Sequence, residues 1–167
     1  MLRFMLASAV LACQLAPASA QSLLDKARRD EVATVRSDNA AMNAAMARAR
    51  AELDAFLGIA EAPLADTRDF SVKIRLPITA DSNEYIWIRA FARDGSKFVG
   101  TVASTPRNFT NLAHGDRLAF ERKDIVDWSY RKGEQTKGNY TACALLQQEA
   151  PQQREAFRKR YGLDCSN

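Results

Sequence analysis

The chain has 167 residues, 47% hydrophobic and 26% charged, with 7 Gly and 5 Pro, the profile of one ordinary soluble domain, which excludes a disordered or low-complexity polypeptide. Its 3 Cys are too few for a mini-protein held by cross-links or for a zinc ribbon. With 24 Lys and Arg against 20 Asp and Glu the formal charge is +4, short of the concentrated basic field that nucleic-acid binding requires, so no nucleic-acid partner is expected.

Residues 1–20 read as a secretory signal peptide. Arg3 precedes an apolar run from Phe4 to Ala12, and Ala18-Ser19-Ala20 supplies a small-residue cleavage site before Gln21. The run is shorter than the roughly 20 apolar residues that span a bilayer, and no later run is longer, so no transmembrane segment is expected and the periplasm is the expected location. The alternative is a lipoprotein acylated at Cys13, because Val10-Leu11-Ala12-Cys13 resembles a lipobox. Cleavage at Gln21 removes Cys13 and leaves Cys143 and Cys165 in a compartment where disulfides persist. A bridge between them closes a loop of about 23 residues and stabilises by about 3 kcal/mol on chain-entropy reasoning. The competing reading, a redox or nucleophilic thiol, lacks a C-x-x-C pair and has a single histidine to draw on as base.

Residues 21–30 are polar and charged and read as a flexible arm; residues 31–167 read as a single domain. Val32 and Val35 mark a short edge strand. Met42, Met46, Ala49, Leu53 and Phe56 then recur at helical spacing, with Ser37 or Asp38 as N-terminal cap and Gly58 closing the C-terminus. The methionine pair reads as core packing. Phe70, Val72, Ile74 and Leu76 alternate with Ser71, Lys73 and Arg75, a strand with one buried face that Pro77 ends. Glu84 to Phe91 reads as a second strand, with Tyr85, Trp87 and Phe91 on one face and Ile86 and Ile88 on the other. Asp94-Gly95 is a hairpin turn into Lys97 to Ala103, where Gly100 marks a bulge or a close backbone approach.

An irregular stretch, Ser104 to Gly115, ends in the turn His114-Gly115-Asp116. Leu118 to Glu121 and Ile125 to Tyr130 read as strands, Lys132-Gly133-Glu134 as a turn, and Asn139 to Leu146 as another strand. Pro151 opens a final helix with Phe157 and Tyr161 on one side, Arg158, Lys159 and Arg160 in its last turn and Gly162 beyond. The class is therefore α+β: a strongly curled antiparallel sheet of about five or six strands, or a partly open barrel. A long N-terminal helix packs on it, and a short helix ends the chain.

Several pieces of this order resemble a known family. They are Asp30-Glu31-Val32, Asp38 and Met42 with the Ala-rich helix, Phe98-Val99-Gly100, Thr105-Pro106 and Gly115-Asp116. The most specific pair is I-x-D-W-x-Y over Ile125 to Tyr130 and G-x-Y-T over Gly138 to Thr141. Together they resemble domain-of-unknown-function family 2314, and Tyr161-Gly162-Leu163-Asp164-Cys165 is similar to its exported YegJ-like members. The resemblance implies one domain over nearly the whole mature chain and carries no activity with it.

Asp124 and Asp127 are the first candidates for chemistry. Three residues apart on a strand, they share an orientation only across a turn or bulge; converged, one carboxyl titrates high as a general acid beside its ionised neighbour. That is the enzyme alternative, an acid–base hydrolase acting on a cell-envelope substrate. The structural alternative has Asp127 accepting backbone N–H bonds at a turn and Trp128 in the core. His114, with Asp116 two residues on, reads either as an oriented base or as a solvent-facing loop residue. No metal or cofactor is expected, because neither a ligand set nor a phosphate-loop, G-x-S-x-G, H-E-x-x-H or dinucleotide motif occurs. The cations of Arg154 to Arg160 suit the end of a helix dipole without any ligand. The leading expectation is a non-catalytic binding module for an envelope protein or ligand. Its surface is drawn from Thr105, Arg107, His114, Asp127, Trp128 and Tyr130, since loops on a rigid sheet carry function and Trp, Tyr and Arg are common anchors.

Overall fold

The computed structural model describes residues 39–165. The expected leader (residues 1–20), arm (21–30), edge strand at Val32 and Val35 and caps Ser37 and Asp38 lie outside the described residues. In chain order the elements are α1 (Ala40–Ala51), α2 (Leu53–Glu61), β1 (Thr67–Thr79), β2 (Ser82–Asp94), β3 (Lys97–Val102) and β4 (Arg117–Phe120). A 3-10 turn (Arg122–Asp124), β5 (Ile125–Lys132), β6 (Gln135–Gly138), α3 (Tyr140–Leu146) and α4 (Pro151–Tyr161) follow. The strands form one antiparallel sheet in the order β4-β3-β2-β1-β5-β6, open rather than closed into a barrel. Among the described residues no helix is long and apolar enough to cross a membrane.

The expected N-terminal helix forms, with different ends. Asn39 caps it, its Oδ1 accepting the Met42 N–H at 2.9 Å. The helix breaks at Glu52 and restarts as α2, so Gly58 lies inside α2 rather than closing it. The apolar face continues through Leu53, Phe56 and Leu57, and the helix stops where Pro63 disfavours a helical Ala62. Ala49, Leu53, Phe56 and Leu57 bury against Val72, Ile74, Ile86, Ile88, Val102 and Trp128 on one face of the sheet. Each fully buried aliphatic or aromatic side chain there contributes about 1.5–3 kcal/mol. Met42 and Met46 form a smaller cluster with Val126 and Ala144.

Three local readings are corrected. Pro77 lies within β1, beyond Ile74, where β1 has lost β5 and pairs only with β2; a strand with one neighbour tolerates proline. Phe91 packs with Phe56 at 6.1 Å instead of sharing the face of Trp87. The cause is a bulge: Arg89 pairs with Thr101 and Ala92 with Val99, so Ala90 and Phe91 stand opposite Gly100 alone. Ala90 is left-handed (φ 47°), and a Cβ on Gly100 would lie 2.4 Å from Ile88 Cγ2 and 2.8 Å from Phe91 Cβ. Finally, the stretch read as a strand from Asn139 to Leu146 is helical from Tyr140 onward, and β6 is the preceding Gln135–Gly138.

Cys143 and Cys165 are joined by a disulfide, tying α3 to the segment beyond α4. Helix α4 buries no residue of its own. It is held at its C-terminus, where Arg131 Nη1 and the Thr136 hydroxyl both donate to the Tyr161 carbonyl, at 3.1 and 2.7 Å.

Candidate functional site

Lys73 and Asp127 are direct partners across β1 and β5, on the sheet face opposite the main core. Asp127 is 0% exposed. Its Oδ1 accepts the Trp128 N–H at 2.9 Å and the Tyr140 N–H at 3.2 Å. Its Oδ2 accepts the Thr141 N–H at 2.9 Å and the Thr141 hydroxyl. The amides of Tyr140 and Thr141 are the first two of α3, which have no partner within the helix, and the carboxylate meets the positive end of the helix dipole. Lys73 Nζ donates to Thr141 Oγ1 at 2.7 Å and lies 4.7 Å above the Trp87 ring. The Thr141 hydroxyl thus links ammonium to carboxylate. Burial pushes the Asp127 carboxyl up and the Lys73 ammonium down, and the opposite charge of each draws the other back.

Trp128 extends the same joint. Its Nε1 donates to the Ala49 carbonyl at 2.9 Å, its ring stacks on Phe56 at 4.8 Å and meets Tyr140 edge-on at 5.5 Å. Gly138 (φ 73°) makes room for it, since a Cβ there would lie 2.3 Å from the Trp128 carbonyl oxygen. The Tyr140 hydroxyl donates to Glu52 Oε2, while Glu52 Oε1 accepts Arg48 Nε at 3.0 Å and the Arg48 guanidinium lies 4.5 Å over the Tyr140 ring. Burial raises the Glu52 carboxyl, but the bonds from Tyr140 and Arg48 outweigh it and hold it below the ordinary range. Tyr140 is raised by burial and by the Glu52 charge. The I-x-D-W-x-Y and G-x-Y-T segments are therefore two halves of one joint that fixes α1 and α3 to the sheet.

The remaining candidates lie elsewhere. Asp124 Oδ2 accepts the Glu121 N–H at 2.8 Å within the 3-10 turn. The two aspartates serve separate backbone donors, and Asp127 is fully enclosed among the described residues. Trp128 and Tyr130, 6% and 9% exposed, are core side chains and not surface anchors: both rings are consumed in packing against Phe56. His114 is exposed in its turn, and Asp116 Oδ2 accepts the Ala113 N–H at 2.8 Å instead of orienting the imidazole. Among the described residues no group of three or more His, Cys, Asp or Glu is placed to hold a metal ion. Thr105 and Arg107 are exposed on a loop that is pinned from below. Glu84, 3% exposed, accepts the Arg107 and Asn108 N–H groups at 2.7 and 3.0 Å and the Asn108 side-chain amide at 3.2 Å.

One sheet face is left partly open. Arg117, Thr101, Arg89, Ser71 and Ser129 are direct partners across five strands, so their side chains share a face. Trp87 and Lys73 form the next pair on that face, Tyr85 and Arg75 the one after. Arg75, Arg89 and Arg117 are exposed. Among the described residues none of the three pairs with a carboxylate, and Arg117 Nη1 reaches only Thr101 Oγ1 at 3.4 Å. Strand spacing separates Arg89 from Arg117 by about 10 Å and Arg75 from Ser71 by about 13 Å.

A family described as "Uncharacterized protein conserved in bacteria (DUF2314)" matches residues 39–165. The chain belongs to this family. The "Uncharacterized protein YegJ" of Escherichia coli (strain K12) is 33% identical over 118 residues, covering 70% of this chain and 74% of that protein. No solved structure matches. The DUF2314 match begins at Asn39, the cap of α1, and ends at Cys165, the second disulfide partner, so the family unit coincides with the described fold. Sequence reasoning missed Lys73, Thr141, Glu52 and Glu84 within this DUF2314 unit. Glu84 carried a signal, a carboxylate in phase with buried Ile86 and Ile88, and Thr141 another, as the last residue of G-x-Y-T.

Proposed function

We propose that the chain is an exported, periplasmic, non-catalytic binding module whose open sheet face engages a phosphate-bearing envelope polymer. The observation that carries this reading is the set of Arg75, Arg89 and Arg117, exposed on one face beside Trp87 and Tyr85 and, among the described residues, without a carboxylate partner. Guanidinium forks match phosphate geometry, and a sheet holds them in place before the partner arrives, which lowers the ordering cost of binding. Their separation of about 10–13 Å in two directions suits a chain of anions better than one small ion. A membrane surface is a poorer fit. The exposed large hydrophobic among the described residues is Leu64, in the connection between α2 and β1, so this face offers no apolar wedge. Export is supported by the leader pattern of residues 1–20 and by the fit of a disulfide to an oxidising compartment.

The test is titration of the purified protein with polyphosphate at low and high salt. The expected result is salt-sensitive binding that falls at least tenfold when Arg75, Arg89 and Arg117 are all replaced by Ala. Unchanged binding by that variant, or tighter binding to anionic phospholipid vesicles than to polyphosphate, refutes the reading of the face. Cell fractionation with N-terminal sequencing tests export separately: the mature chain begins at Gln21 in the periplasmic fraction, and a cytoplasmic chain retaining residues 1–20 refutes it.

A further inference from the structure

The sheet also carries a cleft of its own. β1 and β2 pair from Thr79 and Ser82 to Ser71 and Arg89 and then part. Beyond that pair, β1 follows β5 and β2 follows β3. Both strands bulge at the fork: Asp69 and Phe70 stand opposite Tyr130 alone, as Ala90 and Phe91 stand opposite Gly100. Asp69 (φ 57°) and Ala90 (φ 47°) are left-handed, a conformation that aspartate tolerates but that alanine holds only where its surroundings impose it.

The fork forms a half-open cleft of about 550 Å³, within the range of small-ligand sites. Phe70, Phe91 and Ala60, from the end of α2, give it an apolar floor. That floor is continuous with the core, because Phe70 and Phe91 lie 6.2 and 6.1 Å from the Phe56 ring. Asp69, Ser71 and Arg89 supply its polar groups. Asp69 pairs with Arg68 at 3.6 Å, while Arg89 has no carboxylate partner among the described residues.

We infer that this fork is a second binding site, for a monocarboxylate with an apolar body. The carboxylate takes the Arg89 guanidinium and the Ser71 hydroxyl, and the apolar part covers Ala60, Phe70 and Phe91. A single uncommitted cation above an aromatic floor selects an anion over a cation of the same shape, and the floor selects an apolar body over a fully hydrated anion. Arg89 is shared with the basic face; Ala60 and the two phenylalanines are not, so the two sites are separable.

An amide-resolved NMR titration with octanoate, 1-octanol and octylammonium tests this. Octanoate shifts the amides of residues 69–71 and 89–91 and binds at least tenfold more tightly than either control. The exposed substitution Arg89→Gln weakens octanoate binding at least tenfold. Ala60→Trp, which fills the cleft, abolishes it while polyphosphate binding is kept; Ala60→Leu is the smaller filler should the tryptophan disturb the cooperative urea transition. Equal binding of octanol or octylammonium, shifts centred on other residues, or an Arg89→Gln variant that binds as well as wild type overturns the inference.

Discussion

Replacing Asp127 by Asn keeps the volume of the side chain and removes its charge and half of its acceptors. If the amide oxygen takes the place of Oδ1, it still serves the Trp128 and Tyr140 amides, but the new NH₂ then faces the Thr141 N–H. A donor is left without an acceptor at a site with almost no exposure, which costs about 1–3 kcal/mol. Lys73 also loses its countercharge, and removing one member of a buried pair costs about 3–5 kcal/mol in all, the lost bonds included. Because Lys73 is only half-buried, the lower part of that range applies, so about 3–4 kcal/mol is expected against a total stability of about 5–15. Urea unfolding of wild type, Asp127→Asn, Lys73→Met and the double variant, all with the disulfide intact, measures it. The double variant should lose less than the two single losses together, by at least about 1 kcal/mol. An Asp127→Asn loss below about 1 kcal/mol, or strict additivity with Lys73→Met, would refute the linked Lys73–Thr141–Asp127 arrangement.

Gly138→Ala forces a Cβ into Trp128 at a φ of 73° and should cost about 3–5 kcal/mol from overpacking and left-handed strain combined. By contrast, Gly58→Ala, inside α2 with nothing within 4 Å, should gain about 0.5–1 kcal/mol; thermal melts of the two variants check the contrast. Glu52, held below the ordinary carboxylate range, contributes stability that is present above about pH 4.3 and lost as pH falls through its folded value. Tyr140, raised in the fold, contributes stability that is present below about pH 10 and lost as pH rises further. Tyr140→Phe should therefore flatten both ends of the profile, by no more than about 1 kcal/mol each for this partly exposed group; urea midpoints that follow wild type from pH 3 to 11 would contradict it. Reducing the Cys143–Cys165 bridge should cost about 3 kcal/mol. Hydrogen exchange should then show α4, which buries nothing, losing protection before β1 and β2.

The elements legible in the sequence were those whose own pattern decides them. The apolar face of α1 and α2 fixes a helix without reference to the rest of the chain, and the alternation from Phe70 to Leu76 assigns the faces of β1. Phe91 was not legible, because its orientation depends on a left-handed Ala90 and a crowded Gly100, and alanine carries no preference for that conformation. Helix α3 was hidden for a different reason. Its short apolar run suits strand or helix alike, and the group that satisfies its first amides is a carboxylate on another strand. Lys73 alternates with Val72 and Ile74 and so reads as solvent-facing, yet it lies against Thr141 of α3. The motif residues lie as the structural alternative has them, Asp127 on backbone amides and Trp128 in the core; burial reverses only the surface-anchor role also expected of Trp128 and Tyr130.

That reversal bears on where recognition resides. A side chain whose hydrogen-bonding capacity is filled within the protein has none to offer a ligand. Asp127 accepts four donors, Trp128 donates to Ala49, and Gly138 gives way to the indole. The two segments that make the chain recognisable thus describe how the scaffold closes on itself. The groups with capacity to spare, Arg75, Arg89 and Arg117, lie outside both segments. Surface substitutions of this kind change stability by no more than about 0.5 kcal/mol, so the face is free to differ between relatives that share the joint. Replacing the three arginines should therefore weaken polyphosphate binding at least tenfold with the urea midpoint preserved, while Asp127→Asn should lower the midpoint and leave binding by the folded fraction intact. If the arginine variant unfolded at lower urea, or if the folded Asp127→Asn protein lost polyphosphate binding, scaffold and recognition would not be separate in this fold.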